Sequence, residues 1–322
     1  MTECERIIQQ GILDEKFFEE EKRCDFLVTT HRKKIWAVEI DLLLEFDRVC
    51  KKHDLKYFFE AGSLLGAVRH GGFIPWDDDI DVTMPRADYE KFLTLKEEFT
   101  EPYFLQTPYT DNEYFFSFAK LKNSNTTVWY RPFAYQKFNF GICIDIFPLD
   151  NIELESAKEN FECVKNLIID NSTYMRTSNP NPAQKDVERI ARYKAKYPDG
   201  GEPLKRYEKI QSIARQFENT QTKFVALICC PVYGLDRNIW ETADFAESVD
   251  IDFEGFKFPV PRDYERVLEI KYGDWKKFPP IEERGKWHPD TIFEPDIPYK
   301  KYIEQHGGIF PDEELDAQKN KM

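Results

Sequence analysis

The alternation of hydrophobic and polar positions changes its period several times along this chain, and each change predicts an element. Trp36, Ile40, Leu43, Leu44 and Val49 recur at near-helical spacing from Ile35 onward, with Glu39, Asp41, Glu45, Asp47 and Lys51 between them. That pattern predicts an amphipathic helix ending near His53–Asp54. Residues 1–34 are charge-rich and are expected to be a peripheral segment with short helical patches. Tyr57-Phe58-Phe59 reads as a short aromatic strand. A short helix, Leu64 to His70, follows, with Ser63 as its N-cap and Gly71-Gly72 closing it. Asp77 to Met84 reads as a loop passing into a strand, and Pro85 opens a helix carrying Tyr89, Phe92 and Leu93. Two strands, Tyr114 to Leu121 and Thr126 to Tyr130, are expected around a polar turn. Gly141 to Phe147 is a near-continuous apolar run of the kind found in buried strands, closed by Pro148.

From 151 to 235 the texture is helical but less regular, broken by Pro-, Gly- and Asn-rich stretches at 178–182 and 198–203. This is read as a helical insertion and a candidate acceptor region. Residues 236–322 turn compact again. Phe253-Glu254-Gly255-Phe256 resembles a hairpin turn, Tyr264 to Tyr272 a helix ended by Gly273, and the polar last dozen residues are expected to fray. The expected fold class is therefore α/β (α+β). A mixed sheet flanked by helices over 35–150 is interrupted by the insertion and completed by 236–322.

Composition narrows the function. The 322 residues are 41% hydrophobic and include 27 Phe, enough for a substantial core. A net charge of -14 argues against a DNA or RNA binder, which needs a basic surface. It leaves room for a nucleotide, because a divalent cation supplies positive charge locally. Seven cysteines without a C-x-x-C pair fit free thiols in a reducing compartment and give no zinc-finger spacing. The N-terminus lacks the apolar stretch of a signal peptide, and no run approaches the ~18–20 apolar residues of a membrane span. A soluble, cytoplasmic protein is expected.

The chemistry concentrates on three aspartates. In a strand, residues two apart face the same side with Cα atoms roughly 6–7 Å apart, so Asp79 and Asp81 project together. Two convergent carboxylates with no cation beside them in sequence call for solvent or a divalent metal. Asp145 stands alone in its apolar run and must be paired, coordinated or protonated. If the two strands are neighbours, Asp79, Asp81 and Asp145 converge on one spot able to hold Mg²⁺ or Mn²⁺ and support in-line phosphoryl transfer. Asp77 either joins them or shapes the turn. Gly62-Ser63 at a helix entry exposes backbone N–H groups, a natural anion site, although an ordinary strand-to-helix turn would look the same.

The stretch from Glu60 to Val82, EAGSLLGAVRHGGFIPWDDDIDV, closely resembles the signature of the LicD family of phosphotransferases, in the nucleotidyltransferase superfamily and related to the fukutin-type enzymes. Phe118 to Lys122, Gly141 to Asp150, and a C-terminal pattern including Tyr272-Gly273-Asp274-Trp275, Arg284 and His288-Pro289 extend the likeness. It covers about 35–150 and 250–290. The resemblance implies a nucleotidyltransferase-type core. It also implies transfer of a phospho-alcohol, typically phosphocholine, from a CDP-alcohol donor such as CDP-choline to a glycan or glycolipid acceptor, with release of CMP. In that scheme Asp79 and Asp81 hold the metal, and Asp145 completes the site or takes the acceptor's proton. Gly62 and Ser63 cradle phosphate, and Arg69, His70, Lys120 and Lys122 neutralise charge. Arg284 and His288 close over the donor. The basic residues have plainer readings too: Arg69 and His70 suit a helix C-terminus, Lys120 and Lys122 a solvated strand face, and His288, next to Trp287, packing. Trp76, Trp129 and Trp275 are expected in the core, although a quaternary ammonium would favour an aromatic cage. Acceptors built on lipid would bring the enzyme to the inner face of the membrane by peripheral contact, without a span. Two other functions compete: a nucleotidyltransferase moving NMP and releasing pyrophosphate, and a non-catalytic binding member.

Overall fold

The computed structural model describes residues 1–285 and 288–319, so Trp287 lies outside the described residues. In chain order the elements are α1 (Glu3–Gln9), β1 (Glu21–Arg23), β2 (Phe26–Val28), α2 (Thr30–Lys52), β3 (Phe58–Phe59), α3 (Ala61–His70), β4 (Ile80–Pro85), α4 (Arg86–Leu93), β5 (Tyr103–Gln106), β6 (Ala119–Asn123), β7 (Thr127–Tyr130) and β8 (Ile142–Ile152). Then come α5 (Leu154–Arg176), α6 (Gln184–Lys196), α7 (Pro203–Ala214), β9 (Phe224–Ala226), β10 (Ile239–Glu241), β11 (Ser248–Phe253), β12 (Phe256–Pro261), α8 (Tyr264–Tyr272), β13 (Thr291–Glu294), α9 (Tyr299–Gln305) and α10 (Asp312–Lys319).

The fold is the expected mixed α/β type. Among the described residues the main sheet joins β10, β9, β8, β4 and β3 in that order, with β6 also paired to β8 and β5 to β6. Only β4 and β8 run parallel; β3, β6 and β9 are antiparallel to their neighbours. β8 is the spine, and it runs straight through Pro148 instead of stopping there. β6 pairs with β8 up to Ile146 and β9 from Asp150, while β4 carries the register through Pro148, opposite Met84, to Leu149.

α2 packs Ile35, Trp36, Val38, Ile40, Leu42, Leu43, Phe46 and Val49 into the main core, all fully buried. Its polar face is covered as well, which corrects the peripheral reading of the first thirty-odd residues. Ile7 and Val28 are buried in the same core, and Arg6 of α1 reaches Asp41 at 2.5 Å. Periodicity registers which α2 positions are apolar but not that a second layer lies over its charged stripe. The C-terminus differs from expectation too: α10 is helical, its Leu315 is buried, and Gln318 exchanges hydrogen bonds with the backbone of Phe293. Residues 114–118 are irregular, and the strand expected there begins only at Ala119. α5 and α7 pack together over the β8–β9 end of the sheet, burying Phe161, Val164, Ile210 and Ala226.

Candidate active site

The parallel register of β4 and β8 sets Asp81 directly against Asp145, and the antiparallel register of β6 sets Lys120 against Asp145 from the other side. One row across three strands thus reads Asp81, Asp145, Lys120. The Lys120 ammonium pairs with Asp145 Oδ1, so the carboxylate that looked isolated in the sequence has its counter-ion from a strand far away in the chain. Asp79 stands just ahead of β4. The backbone of Asp81 is pinned twice: its N–H donates to Ser63 Oγ at 2.8 Å, and its carbonyl accepts the Glu60 N–H at 3.0 Å. The preceding loop is held from α2, where Arg32 and Trp36 Nε1 both donate to the Asp77 carbonyl, at 2.6 and 3.0 Å.

Charge is crowded here. One side-chain oxygen from each of Asp77, Asp78 and Asp79 lies within 4.8 Å of the others. The carboxyls of Asp77, Asp79 and Asp81 are all raised above the usual carboxylate range, by burial first and then by neighbouring acids. Asp77 and Asp79 are close enough to act on one another directly, which is part of why Asp77 is raised. Glu39, fully buried on α2, is raised for the same reasons, burial leading and Asp79 and Asp78 following. His288 answers part of this charge. Its Nδ1 meets Asp78 Oδ1 at 2.6 Å and its Nε2 stands 3.9 Å from Asp79 Oδ2. Burial opposes protonation of that ring, but Asp78 and Asp79 outweigh it and push His288 up to about 10.

The donor set fits a hard divalent cation. It is built from carboxylate oxygens, it carries more negative charge than His288 and Lys120 offset, and its acids are driven toward protonation when nothing else neutralises them. Asp77, Asp79 and Asp81 are the residues that would hold Mg²⁺ or Mn²⁺, with Asp145 either completing the set or standing beside it as a base.

The remaining expected residues divide. Gly62 and Arg69 line a cleft of about 750 Å³ together with Asp77, Asp79, Asp81, Asp145 and His288. At Gly62 a side chain would run into the Asp77 carboxylate, 2.6 Å from an added Cβ, so this glycine makes room for an aspartate. Ser63 is not the N-cap of α3, which starts earlier; it is buried inside the helix and its hydroxyl serves the Asp81 backbone. Its phosphate-cradling reading is therefore replaced by a positioning one. His70 stacks on Phe278 at 5.6 Å and lies outside the cleft lining. Lys122 is also corrected. It is 1% exposed, donates to the Gly141 carbonyl at 2.9 Å from between β5 and β8, and is not among the residues that line the cleft. Arg284 lies over the Trp76 ring at 4.5 Å and donates to the carbonyls of Cys24 and Pro279, which fixes one wall. Trp129 is fully buried, whereas Trp76 and Trp275 line the cleft.

Sequence reasoning missed Glu60, Lys271, Asn238, Tyr233 and Tyr272, all of which line the cleft. Glu60 offered a signal, as the residue before Ala61-Gly62. Tyr272 stands in the C-terminal pattern noted above, without a role assigned to it, whereas Lys271, Asn238 and Tyr233 have no local pattern to mark them.

The described residues thus form a mixed α/β fold with an acidic cleft where β4 and β8 lie side by side. Residues 54–179 match the LicD/FKTN/FKRP nucleotidyltransferase domain model. The chain is 23% identical over 261 residues to the lipopolysaccharide cholinephosphotransferase LicD of Haemophilus influenzae, covering 77% of this chain and 92% of that protein. A 28-residue stretch is 61% identical to the human ribitol 5-phosphate transferase FKRP, spanning 9% of this chain and 6% of that one. Among the described residues no helix is long and apolar enough to cross a membrane.

Proposed function

We propose that the protein transfers a phospho-alcohol, phosphocholine being the leading candidate, from a CDP-alcohol to a hydroxyl of a cell-surface glycan or its lipid-linked precursor, releasing CMP. The observation that carries this reading is the pair Asp81 and Asp145, in register on β4 and β8 and lining a large cleft with Asp79 and Asp77, while Lys120 pairs with Asp145 from β6. The names of the two relatives point the same way: both are transferases of a phosphorylated alcohol.

In this reading Asp77, Asp79 and Asp81 hold Mg²⁺ or Mn²⁺, which when bound supplies Lewis-acid stabilisation of the donor's diphosphate. The acceptor oxygen attacks the phosphorus bearing the alcohol, and the P–O bond to the departing CMP breaks, its electron pair leaving with CMP. The acceptor's proton passes to a carboxylate of the cluster. Asp145 is the candidate base, since the contacts to it from Lys120 and Cys143 both fall on Oδ1. Arg69 lines the cleft and Lys120 is paired with Asp145; in this reading the two cations offset negative charge that develops on the transferred group. The work is assigned to the cytoplasmic face of the membrane, where lipid-linked glycan precursors are available without a span.

Thermal stabilisation tests this directly. Purified protein is melted with CDP-choline, CDP-ribitol, CDP-glycerol, a UDP-sugar, ATP or CTP, with and without Mn²⁺. A ligand at about 100 times its dissociation constant stabilises by ~2.7 kcal/mol. Metal-dependent stabilisation by one CDP-alcohol, lost in Asp79→Asn, is the expected result. Stabilisation by nucleoside triphosphates alone would replace this reading with nucleotidyl transfer and pyrophosphate release.

A further inference from the structure

Beside the acid cluster the cleft holds a second polar group with a different character. Lys271 of α8 pairs with Glu60 Oε1, and both side chains are almost wholly buried, at 4% and 2% exposure. The same ammonium donates to Asn238 Oδ1 at 3.2 Å and lies over the Trp240 ring at 5.0 Å. Asn238 in turn donates to the carbonyls of Val232 and Gly234, at 2.6 and 2.7 Å, and so fixes the loop that carries Tyr233 into the cleft. This array joins the acid cluster through one backbone bond, from Glu60 N–H to the Asp81 carbonyl.

Two valences are left over. Glu60 Oε2 is buried with no hydrogen-bond partner. An ammonium has three N–H groups, and two partners are present for Lys271. A buried ion pair costs desolvation and is a weak means of stabilising a fold, so an incompletely satisfied one lining a binding cleft suggests a ligand that completes it. The charges limit what that ligand can be. A phosphate group would face the Glu60 carboxylate with Asp81 close behind it, and a quaternary ammonium would face Lys271. A neutral group presenting a donor beside an acceptor suits both. The rings of Tyr233 and Tyr272, 5.9 Å apart on the same side of the cleft, add flat apolar surface.

We propose that Glu60 and Lys271 read the base of the donor, Glu60 accepting the exocyclic amine of a cytosine and Lys271 donating to its ring nitrogen or carbonyl oxygen. A uracil would place a carbonyl against Glu60 and be rejected. The proposal rests on the CDP-alcohol reading and deepens it by naming specificity-determining residues.

Calorimetric titration of CDP, UDP and 2′-deoxy-CDP in the presence of Mn²⁺ tests it. The proteins are the wild type, Glu60→Gln and the double variant Glu60→Gln/Lys271→Gln. The double variant leaves no lone buried charge and guards against misfolding, and Mn²⁺ affinity in each protein shows whether the acid cluster is intact. Wild type is expected to prefer CDP over UDP by roughly tenfold to a hundredfold, the discrimination of one well-formed bidentate pair. That preference is expected to collapse toward unity in both variants, since an amide donates as readily as it accepts, while Mn²⁺ binding persists. A CDP preference that survives in both variants would overturn the assignment and leave the donor reading intact. Equal binding of CDP and UDP by wild type would do the same. A preference that tracks the 2′-hydroxyl instead of the base would move the pair to the sugar and also overturn it. Wild type that binds neither diphosphate would remove the donor reading itself, and this inference with it.

Discussion

Asp145 and Asp150 lie on the same strand, five positions apart and therefore on opposite faces of β8, Asp145 in register with β4 and Asp150 with β9. Asp150 is fully buried and its Oδ1 accepts from Arg86 Nε at 2.6 Å; that guanidinium also holds Glu90 at 3.0 Å and Gln211 at 2.9 Å. Asp145 is half-buried, is paired with Lys120, and shares its neighbourhood with Asp77, Asp79 and Asp81. At one face Asp150 and Glu90 share the Arg86 guanidinium, Asp150 Oδ2 is left without a hydrogen-bond partner, and the group is enclosed by packing. At the other face acids outnumber cations and the group opens into a cleft. A carboxylate in an apolar strand is thus no guide to chemistry by itself; the local balance of charge and the access of solvent are.

The largest expected effect breaks the closed end. Arg86→Met strands Asp150 without its partner, and losing one member of a buried pair costs ~3–5 kcal/mol. In a protein of this size the melting temperature should fall by roughly 10 °C. A fall of only a degree or two would show that the two ends are not energetically different.

Removing an acid from the open end should do the reverse. Asp81→Asn is expected to weaken Mn²⁺ binding at least as much as the roughly 10–100-fold lost when a metal ligand's supporting hydrogen bond is removed. The metal-free melting temperature should stay level or rise, because one of several like charges is gone. Metal titration and melting on the same sample check both, and a destabilisation matching Arg86→Met would refute the contrast.

A smaller effect concerns pH. Folded-state values of Asp77, Asp79 and Asp81 are raised, so the metal-free protein binds more protons than the unfolded chain above the ordinary carboxylate pKa of ~3.9. The stability these groups contribute is complete below that value and is lost as pH rises through the raised ones. His288 has the same sign: its contribution is complete below its ordinary ~6.5 and disappears as pH approaches about 10. The difference in melting temperature between Mn²⁺ and chelator should therefore widen from pH 5 to pH 8. A difference that stays flat across that range would argue that the acids are not crowded.

The smallest effect is expected for Lys122→Met. It removes one buried hydrogen bond to Gly141, worth about 1 kcal/mol, and should leave CDP-alcohol and Mn²⁺ affinities unchanged. A drop in affinity would return Lys122 to the site.

Much of the acidic floor was legible in the sequence. Alternation placed Asp79 and Asp81 on one face, and an apolar run marked Asp145 as anomalous. The motif from Glu60 to Val82 was long enough to indicate a family. Ser63 and Lys122 were misread because a hydroxyl at a helix entry and a lysine on a strand look alike whether they meet a ligand or a backbone. Which of these they meet depends on β4 crossing α3 and on β6 lying against β8. Glu60 was in view, but its meaning depends on Lys271, a residue from α8.

The sequence by itself determined the identity and spacing of the acids, the apolar faces of α2, β4 and β8, and the glycine at position 62, because these are properties of neighbours within one element. Tertiary structure alone decided that Asp81 and Asp145 share a register, that Lys120 neutralises one acid while His288 approaches two others, and that Glu60 and Lys271 pair at the wall of the cleft. Those decisions depend on which strands lie side by side and on what burial does to charge. Both are set by the packing of distant segments and leave no local trace in the order of residues.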